Sequence, residues 1–484
     1  WERRHLFRIN LFGQITYRDY LFNQNNPTGI TIRTDDEFED EIELEYAVNY
    51  KRTFKREGQE LTALLRYEEN TETEGSNLSE QFFDAENVST GQPDLLQRSN
   101  NTEGDKNYLF QIDYIHPFGE EGKFEAGYRG SFRDIQNDFL VEELESGIWL
   151  PVEGFSNNLL YDENIHALYA IMGNKSGKFS YQLGLRAELS DVRTELRQTS
   201  EVNDRDYLSF FPTAHFTYEL PAQNSVQISY SRRLRRPRFR ELNPFFTFND
   251  ARNIYGGNPD LDPEFTDSYE LGHIKYWDNA SFSSSIYYRH TEGVVERIRT
   301  INEEGITRTR PVNLSTQEAY GFEFNFSADP FKWWRVSGDM NFYRAITNGE
   351  YEGITYDADT YTMNGRLTSR TTLFKEIDIQ IRGNYRAPRQ NPQGTSKAYV
   401  FLDFGANKDI FKGNGTLTFS IRDVFNSRKW RYTSFGEDFF AEGDFQWRAR
   451  QFTLSLNYRL NQKKQRGNGR DGRDYDGGGD EMGF

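Results

Sequence analysis

Glu41-Ile42-Glu43-Leu44-Glu45-Tyr46-Ala47-Val48-Asn49-Tyr50-Lys51, followed by the turn Phe54-Lys55-Arg56-Glu57-Gly58, is the stretch whose reading decides the fold. Neighbouring side chains on a strand point to opposite faces. Ile42, Leu44, Tyr46, Val48 and Tyr50 therefore share one face, while Glu41, Glu43, Glu45 and Asn49 share the other. One side is apolar, the other acidic, and a short polar turn ends the run. The alternation recurs with Phe124, Ala126, Tyr128, Gly130 and Phe132, with Phe179, Tyr181, Leu183, Leu185, Ala187 and Leu189, and with Phe452, Leu454, Leu456, Tyr458 and Leu460. Opposite faces carry Gln182, Arg186 and Glu188, or Gln380, Arg382 and Asn384.

Outward from that stretch the chain keeps a rhythm. Tight connections such as Pro117-Phe118-Gly119-Glu120-Glu121-Gly122, Lys175-Ser176-Gly177-Lys178, Asp278-Asn279-Ala280 and Lys412-Gly413-Asn414-Gly415 take turns with long polar ones. The long ones run from Glu72 to Lys106, Asp134 to Asp162, Asp191 to Asp206 and Arg232 to Asp267. A soluble sandwich has no reason to gather its short turns at one end and its long loops at the other, whereas a transmembrane barrel does. The spacing predicts about eighteen strands, an even number with both ends on the short-turn side. They run from 5–19, 38–53, 59–72, 106–117 and 123–137 to 446–460. The expected fold is all-β: a transmembrane antiparallel β-barrel over residues 1–460, with short periplasmic turns and long external loops in a bacterial outer membrane. Residues 461–484 change to a polar Gly/Asp/Arg-rich run expected to be a disordered tail. Its aspartates lack the closing carboxylate of a calcium loop.

Composition agrees. Only 36% of the 484 residues are hydrophobic, yet 16% are aromatic. That balance suits a barrel in which every second strand residue meets lipid and aromatics collect at the interfaces. No run approaches the ~18 consecutive apolar residues of a membrane helix. Trp277, Tyr287, Tyr288, Trp333, Trp334, Trp430, Trp447 and Tyr458 fall near strand ends and are expected in such a girdle, although β-cores also favour aromatics. With no cysteine there is no disulfide framework or thiolate chemistry. A net charge of -17 argues against nucleic acid as a partner. The six histidines are scattered, no nucleophile elbow, P-loop or dinucleotide fingerprint occurs, and nothing selects a carboxylate pair. No catalytic, cofactor-binding or metal site is expected. Acidic connections such as Glu142-Glu143-Leu144-Glu145 and Glu437-Asp438 either draw cationic or metal-chelate solutes or simply keep exposed loops apart.

One segment stands apart. Arg232, Arg233, Arg235, Arg236 and Pro237 lead to Asn243 and Pro244, then to Gly256-Gly257-Asn258-Pro259-Asp260-Leu261-Asp262-Pro263-Glu264 and Tyr269-Glu270. A strand leaves the sheet carrying arginines, and prolines impose a rigid excursion before the chain returns. The excursion is read as an ordered loop over or in the barrel mouth, with arginines paired to lumen carboxylates. It is equally read as part of a solute-contact surface. Candidate lumen or ligand contacts are Arg232, Arg233, Arg236, Pro237, Asn243, Pro244, Asn258, Pro259, Pro263, Glu264, Tyr269 and Glu270.

This run resembles the signature of the β-barrel portion of TonB-dependent outer-membrane receptors, in the Bacteroidetes-type group called the outer membrane protein β-barrel family. Asn313-Leu314 with Tyr320-Gly321-Phe322-Glu323, Asp423-Val424-Phe425-Asn426 and the end Gly477 to Phe484 are similar to the same family. The resemblance implies a barrel of about 22 strands, a plug domain in cis, an energy-coupling complex of the inner membrane and, in some members, a surface lipoprotein. It implies uptake of a scarce or bulky solute. The chain opens at Trp1 without a signal segment, plug or coupling box, and its strand count is about four short. The expectation is a C-terminal portion of a longer receptor. The alternatives are a plug-less structural or adhesive barrel and, less in keeping with the residues, a barrel enzyme.

Overall fold

The computed structural model describes residues 2–8, 13–23, 26–152, 155–244, 253–301, 307–374, 376–436, 440–446 and 448–460, with side chains from residue 29 onward except that of Asn253. The expected polar tail, 461–484, lies outside the described residues, as does Trp447. The main strands are Glu2–Arg8 with Gly13–Asn23, Asn26–Thr53, Glu60–Phe83, Leu95–Phe118, Gly122–Glu145, Asn157–Ser176, Phe179–Leu196, Glu201–Leu220 and Asn224–Arg235. They continue with Glu264–Trp277, Ala280–Glu292, Thr316–Phe331, Trp334–Asn348, Ala358–Leu373, Ile377–Arg386, Tyr399–Ile410, Gly415–Arg422 and Gln451–Tyr458. Each is antiparallel to the one before it. Glu2–Arg8 and Gly13–Asn23 both pair with Asn26–Thr53 and make one broken stave. The sheet therefore has eighteen staves, as the spacing predicts. Among the described residues, the first and last staves each pair on one side.

Register separates two environments. One row of direct partners crosses eight strands as Tyr181, Phe216, Ile228, Leu271, Ile286, Phe322, Phe342 and Met363. Ile228 and Ile286 are 59% and 60% exposed within it. The adjacent row on the other face reads Gln227, Gly272, Ser285, Glu323, Asn341 and Asn364. A water-facing surface made of the first row would be strongly unfavourable at ~25 cal/mol per Å². A hydrocarbon-facing one is stable, because the strands that carry the row are paired with neighbours on both sides.

Aromatic rings bound the band. Tyr46, Tyr67 and Tyr108 form a ladder with centroids 6.4 and 4.8 Å apart, and Tyr230, Tyr269 and Tyr288 form another at 5.0 and 6.3 Å. Phe331 and Trp333 stack at 5.3 Å at the short-turn end, where Trp277 is also exposed. Tyr287 does not belong to this girdle: it is 3% exposed, on the inner face, and its hydroxyl donates to Asn341 Oδ1 at 2.9 Å. Period two decides it, since Tyr288 beside it faces lipid. Trp430 also departs from the girdle, lying in the Trp430–Phe435 strand of a separate four-stranded external sheet.

The expected long loops are shorter than their polar sequence suggests. Strands run on to Phe83 and resume at Leu95, run on to Glu145 and resume at Asn157, and run on to Leu196 and resume at Glu201. The opening hairpin is likewise tight, with Gly13–Asn23 returning directly into Asn26–Thr53. Antiparallel pairing needs backbone partners, not an apolar face. Above the membrane the polar side chains pair across the ladder instead, as in Asn70 to Glu41 at 3.2 Å and Gln97 to Glu143 at 3.0 Å. Among the described residues of the four long connections, only the one beginning at Arg232 leaves the main sheet for most of its length, over residues 236–244 and 253–263.

Candidate functional site

The described parts of this excursion, 236–244 and 253–263, fold back over the inner face. Pro237 ends the strand, and a helical turn, Phe239–Leu242, follows. Phe239, Leu242 and Leu261 enter a buried cluster with Ile135, Leu159, Tyr161, Val192 and Leu196, all from the inner wall. Polar anchors fix the same contact. Arg236 donates to Glu188, to Ser190 Oγ at 2.8 Å and to Tyr207 at 3.1 Å. Arg186 reaches Glu188 from the other side at 2.5 and 3.0 Å, so a carboxylate only 4% exposed is held between two guanidiniums. Buried charges require such pairing.

The asparagines and glycines close the loop on itself. Asn243, 1% exposed, donates to Asn137 Oδ1 at 3.0 Å, and its carbonyl accepts the Gly257 amide at 2.7 Å. A Cβ on Gly257 would lie 2.5 Å from the Glu241 carbonyl oxygen and 2.6 Å from that of Asn243, so only glycine fits. The Pro244 carbonyl makes the same close approach to Gly256. Asn258 donates to the Pro311 carbonyl at 3.1 Å and accepts from Arg310 at 2.6 Å. Pro259 and Pro263 flank buried Leu261, and Glu264 accepts the Val295 amide at 2.6 Å and Arg235 at 3.2 Å.

Arg233 lies opposite Thr266 and is exposed on the inner face, where Glu270 accepts from Ser268 at 3.1 Å and Arg289 at 3.4 Å. Arg232 and Tyr269 do not join them. They lie in register with the lipid-facing residues, at the external girdle. Arg232 pairs with Asp267 at 2.9 Å, and Tyr269 is 51% exposed between its tyrosine neighbours. The parity that puts Ile228 in lipid puts Arg232 there too, so neither residue is a lumen contact.

Facing the loop is an acidic wall. Glu37, Glu39, Glu41, Glu43 and Glu45 alternate along one face of Asn26–Thr53. Glu41, Glu72 and Glu103 are direct neighbours across three strands. These lie beyond the Tyr46–Tyr67–Tyr108 girdle, outside the membrane-spanning band. Burial, then the neighbouring Glu74, pushes the Glu72 carboxyl up to about 7, with Arg240 of the helical turn pulling the other way. Burial raises Glu103 too, again against Arg240. The loop thus presents a guanidinium towards the wall, so opposite charges face each other across the inner surface. Sequence reasoning recovered the loop, Glu188 and the acidic face of Glu41, Glu43 and Glu45, but not the continuation of that face over Glu72 and Glu103. Its signal was present in the alternating carboxylates of 68–74, which the polar composition of the segment disguised as loop.

A rolled antiparallel sheet with a lipid face, aromatic girdles, short turns at one end and a charged lumen defines an outer-membrane β-barrel. Residues 52–458 match the model of the outer membrane protein beta-barrel family, and the chain belongs to that family. It is 24% identical over 276 residues to the iron-regulated outer membrane virulence protein of Vibrio cholerae serotype O1, a match over 52% of this chain and 40% of that protein. The chain thus spans well under two thirds of that relative's length. Its fold resembles the copper transporter OprC, with TM-score 0.57, 11% identity and coverage of 94% of this chain and 80% of that one. It also resembles the siderophore receptor PiuA of Acinetobacter baumannii, with TM-score 0.54, 11% identity and the same coverages. With both, the likeness is one of fold. The protein resides in the bacterial outer membrane.

Proposed function

We propose that this chain is the barrel of a TonB-dependent receptor that takes up a scarce or bulky solute. The observation that supports this most is the anchored loop, whose Arg240 faces the acidic wall of Glu72 and Glu103 and so offers opposite charges to a solute entering from outside. Relatives named for iron regulation, copper transport and siderophore reception favour a metal-associated solute. In this reading residues 1–460 form the barrel and 461–484 a periplasmic tail. A plug domain in cis closes the lumen, an inner-membrane coupling complex displaces it, and a surface lipoprotein caps the mouth in some settings. No covalent chemistry is required. Arg233, Arg236, Asn243, Asn258, Glu264 and Glu270 either meet the solute or hold the loop that does, with Pro237, Pro244, Pro259 and Pro263 keeping its path rigid.

Exposed aromatics on the external sheet, Phe440 at 69% and Phe435 at 46%, favour a second reading as an adhesive surface barrel. Radiolabelled ferric chelate given to cells with and without the gene separates the two. Import predicts gene-dependent accumulation that stops when the proton gradient is collapsed. Retention that survives the collapse points to adhesion, and accumulation independent of the gene overturns the import proposal.

A further inference from the structure

The periplasmic end of the inner wall holds a second charged cluster, remote from the loop. An open cavity of about 880 Å³ at this rim is bordered by Lys332, Arg335, Arg370 and Arg382, by the carboxylates of Asp329 and Asp378, and by the girdle rings of Phe331 and Trp333. The four residues Arg335, Arg370, Gln380 and Arg382 alternate in register with the lipid-facing Val336, Ile379 and Ile381, which places them on the lumen side. Arg335 and Arg370 are direct cross-strand partners, and Arg382 is a diagonal neighbour of Arg370. Like charges placed opposite one another on a sheet are destabilising unless something neutralises them.

Among the local carboxylates, ion-pair contact reaches Arg335 alone. Asp329 is gripped by Arg335 at 2.6 and 2.7 Å. Asp378 accepts from Thr372 at 2.7 Å, and Asp403, directly across from Arg382, accepts the Asp423 amide at 2.9 Å. Arg370 has the Gln380 amide oxygen at 3.0 Å, and Arg382 Nε is buried without a hydrogen-bond partner among the described residues. Two guanidiniums and the Lys332 ammonium thus border a polar hollow with no carboxylate of the described residues in ion-pair contact. Guanidiniums present planar donor forks suited to carboxylate and phosphate.

We propose that this hollow is an anion site taking a compact solute that bears a carboxylate or phosphate group. Its volume falls within the ~300–1,000 Å³ typical of small-molecule sites. The site is independent of the import proposal, because equilibrium binding needs neither energy nor passage.

Titration calorimetry on the purified full chain in detergent, with inorganic phosphate and with citrate as separate probes, tests it. Binding of at least one probe, weakened by salt, is expected; which one binds identifies the source of the anion. Arg370→Gln combined with Arg382→Gln should weaken it about tenfold or more. Arg344→Gln, which alters a guanidinium at the outer girdle, should leave it unchanged. Strand circular dichroism checks folding, and the single variant Arg382→Gln serves if the double variant fails to fold. Absence of binding by both probes overturns the proposal; that is also the outcome if the natural occupant is an acidic polypeptide. Wild-type affinity in the folded Arg variants overturns it equally.

Discussion

Glu188 shows how single residues hold this molecule together. Its carboxylate is held between Arg186 on its own strand and Arg236 on the excursion, so the loop is anchored by a charge that has little access to water. Removing one partner of a buried pair typically costs about 3–5 kcal/mol. Arg236→Ala should lower the opening free energy of residues 239–244 by about 3 kcal/mol, read by amide hydrogen exchange, while the strands keep their protection. Unchanged exchange in the loop would show that the anchor lies elsewhere. Glu72 makes a prediction with the opposite sign. Its carboxyl is raised from 4.5 to about 7, so the folded chain holds a proton there that the unfolded chain has released. Stability therefore falls as pH rises between those values and stays lowered above them. Glu72→Gln should raise the thermal midpoint relative to wild type above pH 7 and match it near pH 4. A constant difference across that range would contradict the assignment. Sequence alone gave Glu188 and Arg236 as members of lumen and loop. It could not give their contact, because the contact joins distant segments.

At the scale of elements, the strands were the legible part. Period-two alternation survives in one dimension, and so did the count of eighteen staves. Strand ends were not legible, because Asn-, Ser- and Glu-rich stretches such as 72–83 look like loop until a partner strand supplies their hydrogen bonds. The excursion was legible through its prolines, but its docking against Leu159 and Tyr161 was not. Arg232 and Tyr269, expected as lumen or ligand contacts with the rest of the motif, lie on the opposite face from Arg233 and Glu270, because strand parity divides the motif between faces. Within the excursion, Gly257 is the tightest point. Gly257→Ala should cost about 1–3 kcal/mol through displacement of the 241–243 carbonyls, seen as faster protease cleavage in 236–263 with no loss of strand signal. Wild-type resistance would mean the turn relaxes at little cost.

For the whole molecule, the decisive division is between lipid and lumen. Ile228 sits in the middle of the apolar row, and Gln227 faces the other way. In liposomes, Ile228→Arg should lower the unfolding free energy by about 2–4 kcal/mol in denaturant titrations. Gln227→Arg should change it by roughly 0.5 kcal/mol or less. Similar costs at both positions would remove the basis for assigning the faces. The same division governs function, since a solute path exists only if one face is wet.

The most direct measurement exploits the absence of native cysteine, which makes any introduced thiol the sole reporter. Glu43→Cys and Val48→Cys lie on one strand but on opposite faces, in outer membranes probed with a charged, membrane-impermeant maleimide. Glu43→Cys should react, and more slowly when a bound solute covers the acidic wall, whereas Val48→Cys should react only with a lipid-soluble reagent. Equal reaction of both thiols with the charged reagent would contradict a membrane barrel with a solute-accessible lumen.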